Sequence, residues 1–209
     1  MFYLFSKIFI FPIIRLIWVK DVQGIKNIPN KNGAIVASNH ESYFDFICFS
    51  AVCPRRIYYL AGEVFFKKWW WRFLMVLTGQ IRIDRDKKDK SFALRKILSV
   101  LKNKKIIGIF PEGTRSSDGK LQRAYLGVAK IALMAKVPVI PVGIMGTFEI
   151  MSRHDKIPNF KKCTIKIGAP INLEDYYGKD IDKKMLNIIT HGMVMKNIAK
   201  LTEESYNFN

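Results

Sequence analysis

Short apolar segments alternate along this chain with longer segments of helical spacing, and this alternation constrains the fold more than any other feature. The apolar segments are bounded by Gly, Asn or Pro, as strands usually are. They are Ala34–Ser38, Ile57–Ala61, Ile81–Asp84, Ile106–Phe110, Val139–Gly143 and Thr164–Gly168. The helical segments are Phe2–Val19, Phe44–Val52, Val64–Leu77, Lys88–Asn103, Gln122–Ala135 and Asp182–Glu204. The alternation predicts an α/β fold with a mixed, largely parallel sheet flanked by helices.

The length and the cysteines limit the organisation further. A chain of 209 residues, 49% of them hydrophobic, can bury one core, with at most a small appendage. We predict an N-terminal helix over residues 1–20 and one main domain over residues 21–209. The three cysteines, at positions 48, 53 and 163, contain no Cys-x-x-Cys pair, so neither a disulfide framework nor a structural zinc site is expected.

The charge points to an anionic partner. The chain has 35 Lys and Arg against 17 Asp and Glu, a formal net charge of +18. Nucleic acid, an anionic membrane or an acidic protein or substrate would each fit such a charge. The tryptophans favour the membrane, because all four lie in two apolar segments: Trp18 in Phe2–Val19, and Trp69, Trp70 and Trp71 in Val64–Leu77. Nucleic-acid binding is not expected, since no strand interleaves basic and aromatic residues and no basic recognition helix occurs.

The N-terminal segment Phe2–Val19 is predicted to lie on a membrane. Lys7, Pro12 and Arg15 interrupt its 18 residues, whereas a span needs about 20 predominantly apolar ones. Lys7 and Arg15 fall on one helical face, which suits a helix at the interface. No basic start or small-residue cleavage site is present, so a signal peptide is not expected. The alternative for both aromatic segments is a core helix with one solvated face.

Two short stretches that follow predicted strands carry candidate chemistry. His40 follows the first strand and Asp45 comes five residues later, a possible base and the carboxylate that orients it. Taken alone, the pair favours the alternative, a histidine with a purely structural role. The fourth strand runs into a loop with Glu112, Gly113 and Arg115, where glycine permits close backbone approach and arginine matches a phosphate. The alternative is an exposed turn with a local ion pair.

Two other stretches complete the pattern. Arg82 and Arg85 lie in and after the third strand, and at least one of them is expected to mark an anion site. The fifth strand contains Pro138 and Pro141, which suit strand ends or an edge strand.

In this order, the four stretches resemble the conserved blocks of the glycerolipid acyltransferase family, in particular its 1-acylglycerol-3-phosphate O-acyltransferases. The blocks are N-H-E-S-Y-F-D at 39–45, G-Q-I-R-I-D-R at 79–85, F-P-E-G-T-R-S at 110–116 and V-I-P-V at 139–142. The resemblance extends from about Gly24 to Pro170, and the third block is its most specific part. It implies the glycerol-3-phosphate acyltransferase-like fold and an enzyme of phospholipid biosynthesis that makes phosphatidic acid.

The resemblance also implies substrates and roles. The acyl group would come as a thioester on coenzyme A or acyl carrier protein, and the acceptor would be the free hydroxyl of lysophosphatidic acid. His40 would act as general base and Asp45 would orient it. Arg115, with Arg85, would meet the acceptor phosphate. Glu112, Gly113 and Thr114 would complete the substrate site. No metal and no cofactor beyond the acyl donor is expected.

The expected location is the cytoplasmic face of the cell membrane, as a peripheral or monotopic protein. One departure concerns the acceptor, because Gly62 stands where many family members carry a lysine; Lys67, Lys68 or Arg82 are possible replacements. Another lyso-lipid or glycerol-3-phosphate therefore stays open as the acceptor. From a different class, a catalytically inactive basic module that binds membranes or nucleic acid also stays open.

Overall fold

The described strands form a single mixed sheet. The computed structural model of the chain describes residues 2–67, 69, 72, 75, 78–83 and 91–208. The strands are β1 Val19–Gln23, β2 Ala34–Ser38, β3 Ile57–Gly62, β4 Ile81–Ile83, β5 Ile106–Ile109, β6 Val139–Met145 and β7 Cys163–Ile167. Their order is β1-β7-β6-β2-β5-β3-β4, and every neighbouring pair is parallel except β6–β7. The predicted fold class, a mixed and largely parallel α/β sheet, is confirmed.

Helices cover both faces of this sheet. Since successive strand residues point to opposite faces, each strand contributes side chains to two cores. In β2 every residue is buried: Ile35 and Ala37 belong to one core and Ala34 and Val36 to the other. The helices Ser91–Lys102 and Gly127–Ala135 and the C-terminal helical region cover the first core. The second core lies under helix Phe44–Val52 and the N-terminal helix.

Three regions contain helical segments of more than one type or lie partly outside the described residues. The N-terminal helix consists of Phe2–Phe5, a π-helical segment Ser6–Ile10 and Phe11–Trp18. The C-terminal helical region consists of Lys183–Asn187, a π-helical segment Ile188–Met195 and Lys196–Thr202. Helix Val64–Lys67 begins the third region, most of which lies outside the described residues. Short helices at Ile25–Asn27, Thr147–Ile150 and Glu174–Tyr176 complete the description.

The sequence-based elements differ from the structure at three places. The helix expected over Gln122–Ala135 begins only at Gly127, because hydrogen bonds to distant residues hold the preceding loop. Strand β1 was not predicted, since its five residues include Lys20 and Asp21. The prolines were expected at strand ends or on an edge strand: Pro138 directly precedes β6 and so fits a strand end, whereas Pro141 lies inside β6, an interior strand between β2 and β7.

The N-terminal helix places one side on the protein and leaves the other uncovered. Ile14 and Trp18 pack against the second core. The exposed apolar side chains are Leu4, Phe5, Ile8, Phe9, Ile10, Ile13 and Leu16. Of the two expected interfacial cations, Arg15 is exposed, whereas Lys7 donates to the carbonyl of Pro54. Within the described part of the chain, no helix is long and apolar enough to cross a membrane.

Candidate active site

The end of β2 and the first turn of the next helix bring together a histidine and a carboxylate. His40 follows β2, and Asp45 lies in the first turn of helix Phe44–Val52. The His40 Nδ1 and Asp45 Oδ2 atoms are 2.8 Å apart. The Asp45 side chain is 0% exposed, whereas that of His40 is 14% exposed. A partly accessible imidazole therefore rests on a fully buried carboxylate.

The Asp45 carboxylate is held by several donors. The backbone N–H groups of Glu41 and Ser42 donate to Oδ2 at 2.8 and 2.9 Å, and the Thr147 hydroxyl donates to Oδ1. Because Oδ2 only accepts, the proton of the neutral imidazole lies on Nδ1. The Nε2 atom is then the acceptor available for a substrate proton.

An aromatic ring fixes the plane of the imidazole. Phe110 stacks on His40 with ring centroids 3.9 Å apart and planes inclined by 13°. Tyr59 in turn stacks on Phe110, with ring centroids 5.8 Å apart. The stack connects β3, which contains Tyr59, with the residues that follow β2 and β5, its neighbours in the sheet.

Glu112 connects the third block to the first. It is 2% exposed, and its Oε1 and Oε2 accept from the backbone N–H groups of His40 at 2.9 Å and Gln122 at 2.7 Å. Burial raises the pKa of Glu112 to about 8, although both backbone hydrogen bonds act in the opposite direction. This geometry holds the backbone of His40 against the loop after β5. A direct contact of Glu112 with substrate stays a prediction.

The same loop presents a cation beside the histidine. The guanidinium carbon of Arg115 lies 3.7 Å from the centroid of the Tyr43 ring, within cation–π range. Gly113 has φ of +72°, a backbone conformation that a side chain would strain, and Thr114 is exposed. The loop after β5 thus holds Arg115 against Tyr43.

The remaining predicted cations are not all part of this arrangement. Arg85 and Lys68 lie outside the described residues. Arg82 forms an ion pair with Glu63, and Lys67 is exposed. A Cβ atom added at Gly62 would meet nothing within 4 Å, so the position has room for a side chain that this chain lacks.

An apolar cavity of about 560 Å³ opens beside His40. Tyr43, Tyr59 and Phe110 line it together with the end of β3, including Gly62. Its lining is almost entirely apolar or aromatic, and it includes the imidazole of His40. A cavity of this size and lining suits a hydrocarbon chain.

Sequence reasoning gave no role to three residues that support the site. Asn39 connects β2 to β6, because its amide accepts from the Ile144 N–H at 2.8 Å and donates to the Ile144 carbonyl at 2.7 Å. It also donates to Glu41 at 2.8 Å. Burial, with the Asp45 charge, raises the pKa of Glu41 to about 9. Asn39 and Glu41 lie in the first block, whereas no local signal marked Thr147, which is 102 residues from Asp45.

Comparison with known proteins finds acyltransferases among the proteins that this chain is similar to. A model of the family described as Acyltransferase matches residues 20–145. The chain is 31% identical over 154 residues to the 1-acyl-sn-glycerol-3-phosphate acyltransferase of Bacillus subtilis (strain 168), covering 72% of this chain and 73% of that one. It is 30% identical over 183 residues to a chloroplastic 1-acyl-sn-glycerol-3-phosphate acyltransferase of Brassica napus, covering 86% of this chain and 50% of the plant protein.

A solved structure shares the fold. It is the 1-acyl-sn-glycerophosphate (LPA) acyltransferase PlsC of Thermotoga maritima, with a TM-score of 0.71 and 24% identity. The match covers 99% of this chain and 89% of the other. At this identity the likeness concerns the fold alone, and it agrees with the sheet described above.

Proposed function

The chain belongs to the acyltransferase family, and from this premise we propose that it transfers a fatty acyl group from acyl-CoA or acyl carrier protein to lysophosphatidic acid. The product would be phosphatidic acid, a precursor in phospholipid biosynthesis. The observation that carries the proposal is the His40–Asp45 pair at the apolar cavity, with a loop arginine beside it. Base, hydrocarbon site and phosphate-matching cation are the three parts such a reaction requires.

The proposed chemistry is a direct transfer. The acceptor hydroxyl oxygen attacks the thioester carbonyl carbon while His40 Nε2 takes the hydroxyl proton. The buried Asp45 carboxylate stabilises the imidazolium that forms. The carbon–sulfur bond then breaks, and the thiolate leaves with the proton that His40 returns. No acyl-enzyme is required.

The acceptor phosphate is assigned to the loop after β5. Arg115 can form two charge-assisted hydrogen bonds with a phosphate, and Tyr43 supports its guanidinium from one side. Arg85 is proposed as the second cation. Gly113 and Thr114 would offer backbone and hydroxyl groups nearby, with Glu112 holding the loop to His40.

Association with the cytoplasmic face of the cell membrane is part of the proposal. The acceptor is itself a membrane lipid, and the N-terminal helix exposes a continuous apolar side. Such a helix would lie at the interface of headgroups and acyl chains. The excess of 35 cationic over 17 acidic residues would favour anionic lipids.

Gly62 supports a second candidate, an acyltransferase that acts on another lyso-lipid or on glycerol-3-phosphate. The open space at Gly62 leaves one cation fewer beside the acceptor than the family pattern provides. An inactive binding module is disfavoured, because such a module has no need for a buried carboxylate held by the Glu41 and Ser42 N–H groups under a histidine.

The test measures thiol release from acyl-CoA in detergent micelles, with lysophosphatidic acid present or absent. We expect release to depend on lysophosphatidic acid and to fall by about 10²- to 10⁴-fold in His40→Ala, the usual contribution of a positioned base. Phe92→Ala, which removes an exposed ring from helix Ser91–Lys102, away from the cavity, is the control.

Wild-type turnover in His40→Ala would contradict the base assignment. A panel of lysophosphatidic acid, lysophosphatidylglycerol and glycerol-3-phosphate, each offered with one labelled donor, decides the acceptor. A preference for either of the last two would replace the first candidate with the second.

A further inference from the structure

A cationic loop beside the N-terminal helix exposes two large apolar side chains. The loop, residues 152–162, connects the short helix Thr147–Ile150 to β7 and is called the docking loop below. Ile157 is 77% exposed and Phe160 is 84% exposed. Single exposed apolar residues are ordinary, but several that adjoin one another indicate a contact surface.

The docking loop contacts the C-terminal end of the N-terminal helix through Trp18. The indole N–H of Trp18 donates to the Asn159 carbonyl at 3.0 Å. The rings of Trp18 and Phe160 are parallel within 5°, with centroids 6.5 Å apart. Helix and loop therefore form one surface with Trp18 at its junction. A tryptophan at such a junction suits the headgroup layer of a bilayer.

The charges of the loop are those that an anionic surface attracts. Its exposed cations are Arg153, Lys156, Lys161 and Lys162. The one acidic residue of the loop, Asp155, accepts a hydrogen bond from the Ser152 N–H at 2.8 Å. Cations that flank protruding apolar side chains are typical of segments that bind the interface of anionic membranes.

The loop is held in shape before any partner arrives. The Asn159 N–H donates to the Ile150 carbonyl at 2.7 Å, and its side-chain amide donates to the Glu149 carbonyl at 3.3 Å. With the Asp155–Ser152 hydrogen bond, these contacts fix both halves of the loop. Little conformational entropy would be lost when a preformed loop meets a surface.

The loop also adjoins the catalytic centre. Thr147, which opens the preceding helix, donates to Asp45. Met151 lines the cavity, and its carbonyl accepts from the Ser42 hydroxyl at 2.6 Å. A surface that contacts the docking loop therefore lies beside the cavity that His40 faces.

We propose that the docking loop is a second membrane-binding element, which together with the N-terminal helix seats the cavity on an anionic bilayer. This inference rests on the membrane association proposed above. An acidic protein, such as an acyl carrier protein, would also meet the cations. The bilayer is favoured because the helix that Trp18 joins to the loop exposes apolar side chains of its own, and a small acidic partner would leave them uncovered.

The experiment is co-sedimentation with vesicles of phosphatidylglycerol and phosphatidylcholine in equal amounts, at low and high salt. The apolar variant is Ile157→Ser with Phe160→Ser, and we expect its partition coefficient to fall by about tenfold or more at both salt concentrations. The charge variant is Lys161→Ser with Lys162→Ser, expected to fall by about tenfold at low salt and far less at high salt.

Matched controls lie on the opposite face of the sheet. Phe92→Ser removes an exposed phenylalanine, and Lys102→Ser with Lys130→Ser removes two exposed lysines, from helices that cover the first core. Both controls should bind as the wild type does. Thermal melting verifies that every variant is folded.

The outcomes separate this inference from the function it rests on. Failure of the wild-type chain to bind these vesicles at low or high salt would refute the membrane association itself. If Phe9→Ser with Leu16→Ser weakens binding while the loop variants match the controls, the helix binds alone and the docking-loop inference is wrong. Loop variants that bind vesicles normally, but lose turnover only with acyl carrier protein as donor, would reassign the loop to an acidic protein.

Discussion

Replacing Asp45 with Asn should slow the enzyme much less than removing His40, and the hydrogen bonds around Asp45 supply the reason. Three N–H donors converge on Oδ2: the ring of His40 and the backbones of Glu41 and Ser42. An amide NH₂ group cannot occupy that position, so the asparagine oxygen must. The NH₂ group then replaces Oδ1 and faces the Thr147 hydroxyl, which can rotate and accept. The tautomer of His40 is thus retained.

The magnitude follows from the loss of charge alone. A hydrogen bond to a charged group contributes about 1.5–3 kcal/mol, against about 0.5–1.5 kcal/mol for a neutral pair. The imidazolium of the transition state would lose the difference, about 1–2 kcal/mol, or about 5- to 30-fold in turnover. In serine proteases the corresponding change costs about 10⁴-fold, because the imidazole takes the wrong tautomer.

The assay is acyl-CoA thiol release with lysophosphatidic acid, comparing Asp45→Asn, His40→Ala and the double variant Asp45→Asn with Thr147→Val. Valine cannot accept from the new NH₂ group. The double variant should therefore be slower than the combined effects of Asp45→Asn and Thr147→Val on turnover, each measured alone, predict. If Asp45→Asn is folded and as slow as His40→Ala, the proposed locking of the oxygen by the Glu41 and Ser42 N–H groups is refuted.

Two further predictions concern Arg115 and Glu41. Arg115→Ala should lower kcat/KM for the phosphate-bearing acceptor by about 10- to 150-fold, equivalent to about 1.5–3 kcal/mol, and a phosphate-free acceptor should be nearly unaffected; equal losses for both acceptors would make Arg115 structural. Tyr43→Leu, which keeps the cation and removes its ring, should lose less. For Glu41, the folded protein keeps the proton up to about pH 9 and the unfolded chain releases it near 4.5, so rising pH favours unfolding across that window. Glu41→Gln should remove this dependence, up to about 1.4 kcal/mol per pH unit in urea titrations; identical pH profiles would contradict a protonated Glu41.

The order of strands and helices could be predicted from the sequence because burial on both faces demands continuous apolar runs. Ala34–Ser38 is such a run, and it forms β2 with the predicted bounds. The close approach of His40 to Asp45 was also foreseeable, because five residues of chain across a strand-to-helix turn leave little freedom. Turns and apolar runs depend on residues that are close together in the chain, so they can be predicted from the sequence.

Other features depended on pairings between residues far apart in the chain. Nothing near Val19–Gln23 marks it as a strand, and it becomes one because β7 offers it a free edge. Pro141 lies in an interior strand because registered pairing of β6 with β7 covers only Val142–Met145, and beyond it the Gly168 N–H bonds to the proline carbonyl. At such a gap in the ladder a missing N–H costs no hydrogen bond.

The support of the site was likewise decided only by the tertiary structure. The hydrogen bond from the His40 backbone to Glu112 joins residues 72 positions apart, and Thr147 reaches Asp45 across 102. Each of these groups is a buried donor or acceptor whose partner is set by how β2, β5 and β6 align in the sheet. The sequence determined which residues are the candidates for the chemistry, and the register of the strands determined what holds them in place, because a buried polar group must take the partner that the fold brings to it.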